Sequence, residues 1–138
     1  MDPPARALIE RLALAPHPEG GWYRETWRDA PAAEQERGHA SLILFLLAAG
    51  ERSHWHRVDP TELWLFHAGA PLVLRIAADA GGPIETFRLT AEAPQAIVPA
   101  GAWQAAESEG GFTLVGCVVA PAFAFSGFTL APPGWSPR

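Results

Sequence analysis

The repeat of apolar and polar positions changes once along this chain. In "ARALIERLAL", residues 5–14, Leu8, Ile9 and Leu12 fall on one side of a helical repeat, while Arg6, Glu10 and Arg11 lie largely elsewhere. The spacing predicts a short amphipathic helix, stopped by Pro16 and Pro18. Beyond it the runs are short and rich in β-branched and aromatic residues: "GGWYRETWR", "SLILFLL", "SHWHRV", "TELWLFHA", "PLVLRIAA", "IETFRL", "QAIVP", "WQAAES", "FTLVGCVVA" and "FSGFTL". Most are bounded by Gly, Pro, Asp or Ala-rich turns. "APAAEQERGHA", residues 30–40, reads as a polar loop, and the closing "APPGWSPR" is too proline-rich to extend a sheet. So many short strands with close turns predict an all-β sandwich or barrel behind one N-terminal helix.

Length fits one domain of 138 residues: helix and lead-in over 1–18, barrel over 19–130, tail over 131–138. "SLILFLLAAG" is about half of a membrane span, and the N-terminus carries Asp2 and Glu10 where a signal peptide needs an apolar run. A cytoplasmic location with no membrane partner is expected. The formal charge of −5, without a basic cluster, argues against nucleic acid. All ten basic residues are arginine, which excludes a lysine Schiff base. The single cysteine, Cys117, lies in an apolar run and reads as a buried, inert thiol.

Chemistry concentrates in "HWHRVDPTELWLFHAG", residues 54–69. His54 and His56 are two apart and share one face of an extended strand. Asp59-Pro60 is a turn signal, and a hairpin there returns Glu62 to the two histidines. Two imidazoles and a carboxylate suit a divalent metal. Without a metal, His56 supplies a base that titrates near neutrality, oriented by Glu62. Trp64 and Phe66 follow Glu62 on its face, to line a pocket or to fill the core. Trp55, Arg57 and His67 fall on opposite faces and read as packing or surface residues. In "HPEGGWYRET", His17, Glu19 and Tyr23 are further candidates, and Gly20-Gly21 permits a sharp turn. Tyr23 and Arg24 alternate, so only one faces inward: Tyr23 to donate a proton, or Arg24 to hold an anion.

The order His54-x-His56, Glu62, Gly69 resembles the first motif of the cupin superfamily. "VPAGAWQAAE" resembles the second, with Gln104 where most metal-binding cupins carry a third histidine. Together with "HPEGGWYRETWR" and "FTLVGCVVAPAFAFSGFTL", these motifs resemble a small bacterial and fungal cupin family of unknown function, likened to sugar-nucleotide epimerases. The resemblance implies a double-stranded β-helix jelly roll, a homodimer, and a small-molecule pocket in the barrel mouth. It implies a pocket centred on His54, His56, Glu62 and Gln104, which would hold Zn, Ni, Mn or Fe if a metal binds. Without one, Gln104 hydrogen-bonds a ligand or water. The expected chemistry is isomerase- or epimerase-like, on a carbohydrate-like carbonyl compound. His56, Glu62 and Tyr23 would be catalytic, with Gln104, Trp64, Phe66 and Arg24 at the ligand. An iron oxygenase and a non-catalytic binding or sensing module are the alternatives. Ser126 lacks the G-x-S-x-G elbow of a nucleophilic hydrolase.

Overall fold

A computed structural model describes residues 1–31, 33 and 36–138; residues 32, 34 and 35 of the expected polar loop lie outside the described residues. Helix α1 spans Pro3–Arg11, with proline in its first turn, where the missing N–H costs no hydrogen bond. The strands are β1 (Ala15–Pro16), β2 (Trp22–Arg28), β3 (Ser41–Ala48), β4 (Arg52–Val58), β5 (Thr61–Gly69) and β6 (Leu72–Ala77). Then follow β7 (Ile84–Leu89), β8 (Gln95–Val98), β9 (Trp103–Ser108), β10 (Phe112–Ala120) and β11 (Phe128–Leu130).

Two antiparallel sheets face each other, ordered β1-β2-β3-β10-β5-β8 and β11-β4-β9-β6-β7. This is the jelly-roll barrel, with its one N-terminal helix, that the strand pattern and motifs predicted. The inner faces close on Phe45, Leu47, Trp64, Leu72, Leu74, Val98 and Val115. Alternation along each strand supplies these residues.

Both outer faces are partly covered. Leu8 and Ile9 of α1, with Leu12 just after it, lay the predicted apolar stripe on Leu46, Ala48 and Leu114 of the first sheet. The proline-rich tail crosses the second sheet, where Trp135 stacks on Trp103 with ring centroids 4.5 Å apart. Ala131 and Trp135 bury Trp55 there, and Arg57 lies over the Trp103 ring at 4.9 Å.

Two local features differ from the sequence expectation. Strands β4 and β5 do not form a hairpin. The Asp59-Pro60 corner carries the chain from the second sheet to the first, where β5 pairs with β10 and β8. Arg37 grips this corner, donating from both terminal nitrogens to Asp59 at 2.7 and 3.0 Å. In addition, β4 carries a bulge against β9: Ser53 pairs with Ala106, but His56 pairs with Gln104. Three steps on one strand oppose two on the other, which breaks the period of two between Ser53 and His56. Among the described residues, no helix is long and apolar enough to cross a membrane.

Candidate functional site

A cavity of about 540 Å³ opens between the sheets, within the usual size for a small-molecule site. Its polar end is built by the β1–β2 turn, β4, β5 and β10. His17 and Glu19 come from the turn, His56 from β4, Glu62 from β5 and Cys117 from β10. Ile43, Val58, Val119, Phe123 and Phe125 make apolar walls, and Tyr23, Glu25 and Arg28 of β2 also line it.

The turn seats itself by backbone bonds. The Glu19 carbonyl accepts from the His54 N–H at 2.8 Å, and Gly20 and Gly21 take φ of +109° and +79°. Glu19 thereby lies between two imidazoles. Its Oε1 is 3.3 Å from Nδ1 of His17 and its Oε2 is 3.4 Å from Nε2 of His56. The Ser53 hydroxyl donates to Glu19 Oε2. All three ring and carboxyl groups are at most 9% exposed.

The hydrogen bonds fix both tautomers. The Glu19 backbone N–H donates to Nδ1 of His17 at 3.1 Å, so a neutral His17 carries its proton on Nε2. Nδ1 of His56 lies 2.7 Å from the His54 carbonyl, an acceptor only, so His56 carries its proton on Nδ1 and keeps the Nε2 lone pair. The two rings therefore offer opposite faces, one donor and one acceptor.

Burial sets the charge state. It lowers the His17 pKa to about 4 and, acting against the nearby Glu62, also lowers that of His56. It raises Glu19 to about 8 despite the Ser53 hydrogen bond. It raises Glu62 to about 7 against the opposing pull of His56. Near neutral pH, Glu19 and the histidines are uncharged, so the close His17–Glu19 and His56–Glu19 approaches are neutral contacts rather than ion pairs.

Glu62 rests on a directed chain. The Trp64 indole donates to Oε1 of Gln104 at 2.8 Å, and Nε2 of Gln104 donates to Oε1 of Glu62 at 2.9 Å. Burial raises the Cys117 pKa further, in contact with Glu62, so its thiol stays protonated.

The sequence-predicted residues separate accordingly. His56, Glu62 and Tyr23 line the cavity. Gln104 is fully buried behind Glu62, and Trp64 behind Gln104, its indole edge-on to Phe45. Phe66 packs against the core and borders a different surface hollow, with Gly69 and Arg88. Arg24 is exposed on the opposite face of β2, because alternation turns Tyr23 and Glu25 inward. His54 does not join His56: the bulge turns its ring to the tail, where Nε2 sits 2.9 Å from the Pro132 carbonyl. His17 and Glu19, candidates from the sequence, both line the cavity, whereas Ser53 and Arg28 enter the site without having been assigned to it from sequence. The Gly20-Gly21 pair after Glu19 was the one signal of a tight loop there.

The expected four-ligand metal set is not assembled. The His54 ring lies elsewhere, and the Gln104 oxygen is occupied by Trp64, an obligate donor. Among the described residues, no three His, Cys, Asp or Glu side chains are grouped to hold a metal ion.

Comparison with known proteins agrees with this architecture. The family described as Cupin superfamily (DUF985) matches residues 6–131. A solved protein from Shewanella oneidensis is 39% identical, with TM-score 0.84, over 92% of this chain and 84% of that one. A hypothetical protein from Leishmania major is 31% identical, with TM-score 0.83, over 92% and 86%. Bacillus subtilis oxalate decarboxylase, whose Mn(II) centres have been characterised, shares the fold at TM-score 0.65 and 16% identity, over 86% of this chain and 30% of that one. No curated protein matches the sequence.

Proposed function

Since the chain belongs to the DUF985 family of the cupin superfamily, we propose that this small-molecule-binding cupin moves a proton on a carbonyl compound, as an isomerase or epimerase does. The observation that carries the reading is the pair of imidazoles locked in opposite tautomers around Glu19. The Nε2 lone pair of His56 takes a proton from the carbon next to the carbonyl. The C–H electron pair becomes the enol double bond, and the carbonyl oxygen takes a proton from the neutral carboxyl of Glu62. Return of a proton to the neighbouring carbon isomerises the compound, and return to the same carbon from the other side epimerises it. The Tyr23 hydroxyl, on a ring 4.4 Å from that of His17, hydrogen-bonds the ligand. Two environments that push titratable groups apart, histidines downward and carboxyls upward, support an acid/base assignment. Bacillus subtilis oxalate decarboxylase, of the same fold, carries Mn(II) centres, whereas this proton transfer uses His56 and Glu62.

The test is solvent deuterium uptake. Hydroxy-carbonyl compounds incubated with the protein in D2O should gain deuterium next to the carbonyl. His56→Gln should slow this by about 100-fold or more, while His54→Ala leaves it unchanged within about twofold. No uptake with any such compound, or equal loss in the two variants, would overturn the reading.

A further inference from the structure

The walls of the cavity carry information about the ligand that its polar end does not. Arg28 is the one arginine lining the cavity among the described residues, and it forms a two-point ion pair with Glu25. Nε and Nη2 donate to Glu25 at 2.8 and 2.7 Å, and Nη1 donates to the Phe123 carbonyl at 2.8 Å. Both lining histidines have their Nδ1 atoms committed to the backbone, and the other titratable groups of the lining are the carboxyls of Glu19, Glu25 and Glu62, the Cys117 thiol and the Tyr23 hydroxyl. A phosphate or carboxylate entering this space would meet no net positive charge, since the one guanidinium is offset by Glu25.

One wall is apolar. Phe123 and Phe125 meet edge to face, with centroids 4.8 Å apart, and Phe125 is 58% exposed although it lines the mouth. An aromatic ring held at an opening is available to cover an apolar ligand.

We propose that the cavity selects an uncharged hydroxy-carbonyl compound bearing an apolar ring. Its carbonyl end lies at His56 and Glu62, its ring lies against Phe123 and Phe125, and phosphorylated or nucleotide-linked sugars are rejected. The inference rests on the proton-transfer reading for the placement of the carbonyl, and on the walls for the rest.

Three probes with one shared head test it: 2-hydroxyacetophenone, dihydroxyacetone and dihydroxyacetone phosphate. Binding is followed by NMR on isotope-labelled protein, and deuterium uptake is followed on each probe. 2-Hydroxyacetophenone should bind about tenfold more tightly than either other compound, from burial of its ring, and should shift the amide signals of Phe123 and Phe125. Phe125→Ala should remove most of that preference. The side chain is largely exposed, so the variant should fold. Equal or tighter binding of dihydroxyacetone phosphate, no discrimination, or no binding by any probe would overturn the assignment. Selective binding of 2-hydroxyacetophenone without deuterium uptake would keep the ligand class and overturn the proton transfer instead.

Discussion

An indole N–H can only give a hydrogen bond, and that constraint at Trp64 reaches Glu62 through Gln104. The amide has one orientation that satisfies both neighbours, so its NH2 group faces the carboxyl. Glu62 is thereby held at Oε1 by the amide, with the Cys117 thiol also against its carboxyl. The same economy governs Glu19, which depends on its following glycine. Gly20 has φ of +109°, and a Cβ there would collide with the Arg52 carbonyl oxygen. Gly20→Ala is expected to cost about 2–4 kcal/mol of stability in urea unfolding. It should also shift the His56 ring signals, because the turn that seats Glu19 has to move. A loss below about 0.5 kcal/mol would show that the turn adapts.

At the scale of elements, the helix, the succession of short strands and the inward turn of Glu62 follow the period of their residues, and all were legible. The placement of His54 was not. Spacing of two implies a shared face only while the strand is regular, and the bulge is decided by partners distant in sequence. Ser53 turns in to meet Glu19, and β9 accommodates the extra residue with Ala106 and Gln104. The Asp59-Pro60 corner has the same lesson: a turn signal marks a reversal but does not say which sheet receives the next strand. Trp55 was rightly expected on the packing side, yet what covers it is the tail, where Trp135 stacks on Trp103. Trp135→Ala is expected to lose about 1–3 kcal/mol, measured by denaturant unfolding, without changing ligand binding in the cavity on the other face of the sheet.

For the whole molecule, the buried groups set opposing pH dependences. Glu19 and Glu62 hold protons in the folded chain that the unfolded chain releases near their ordinary pKa of 4.5. Their contribution to stability is complete below about 4.5 and is lost as pH rises through about 7 and 8. His17 works the other way: the unfolded chain gains a proton near 6.5, the folded chain only near 4, so stability falls as pH drops across that interval. His56 acts in the same sense as His17. Between 4.5 and 6.5 the two effects oppose each other, and above 6.5 only the carboxyls remain. Thermal stability should therefore decline from pH 6.5 to 8.5, with Glu19 contributing about 2 kcal/mol of the loss. Glu19→Gln should flatten that decline, and an unchanged slope in this variant would place the titration elsewhere.

Strand β4 is hydrogen-bonded on both edges, by β11 and β9, while its inner side carries His56 and its outer side is roofed by the tail. Four of its seven side chains are buried, so its amides belong among the later ones to open when the chain fluctuates. The mouth is made differently: Phe125 begins a single short turn whose ring stands mostly in solvent. The base thus sits on a strand paired on both edges, and the aromatic surface at the mouth sits on a short, exposed turn. Ligands of different shape can be accommodated at the rim while the geometry around the reacting carbon stays constant.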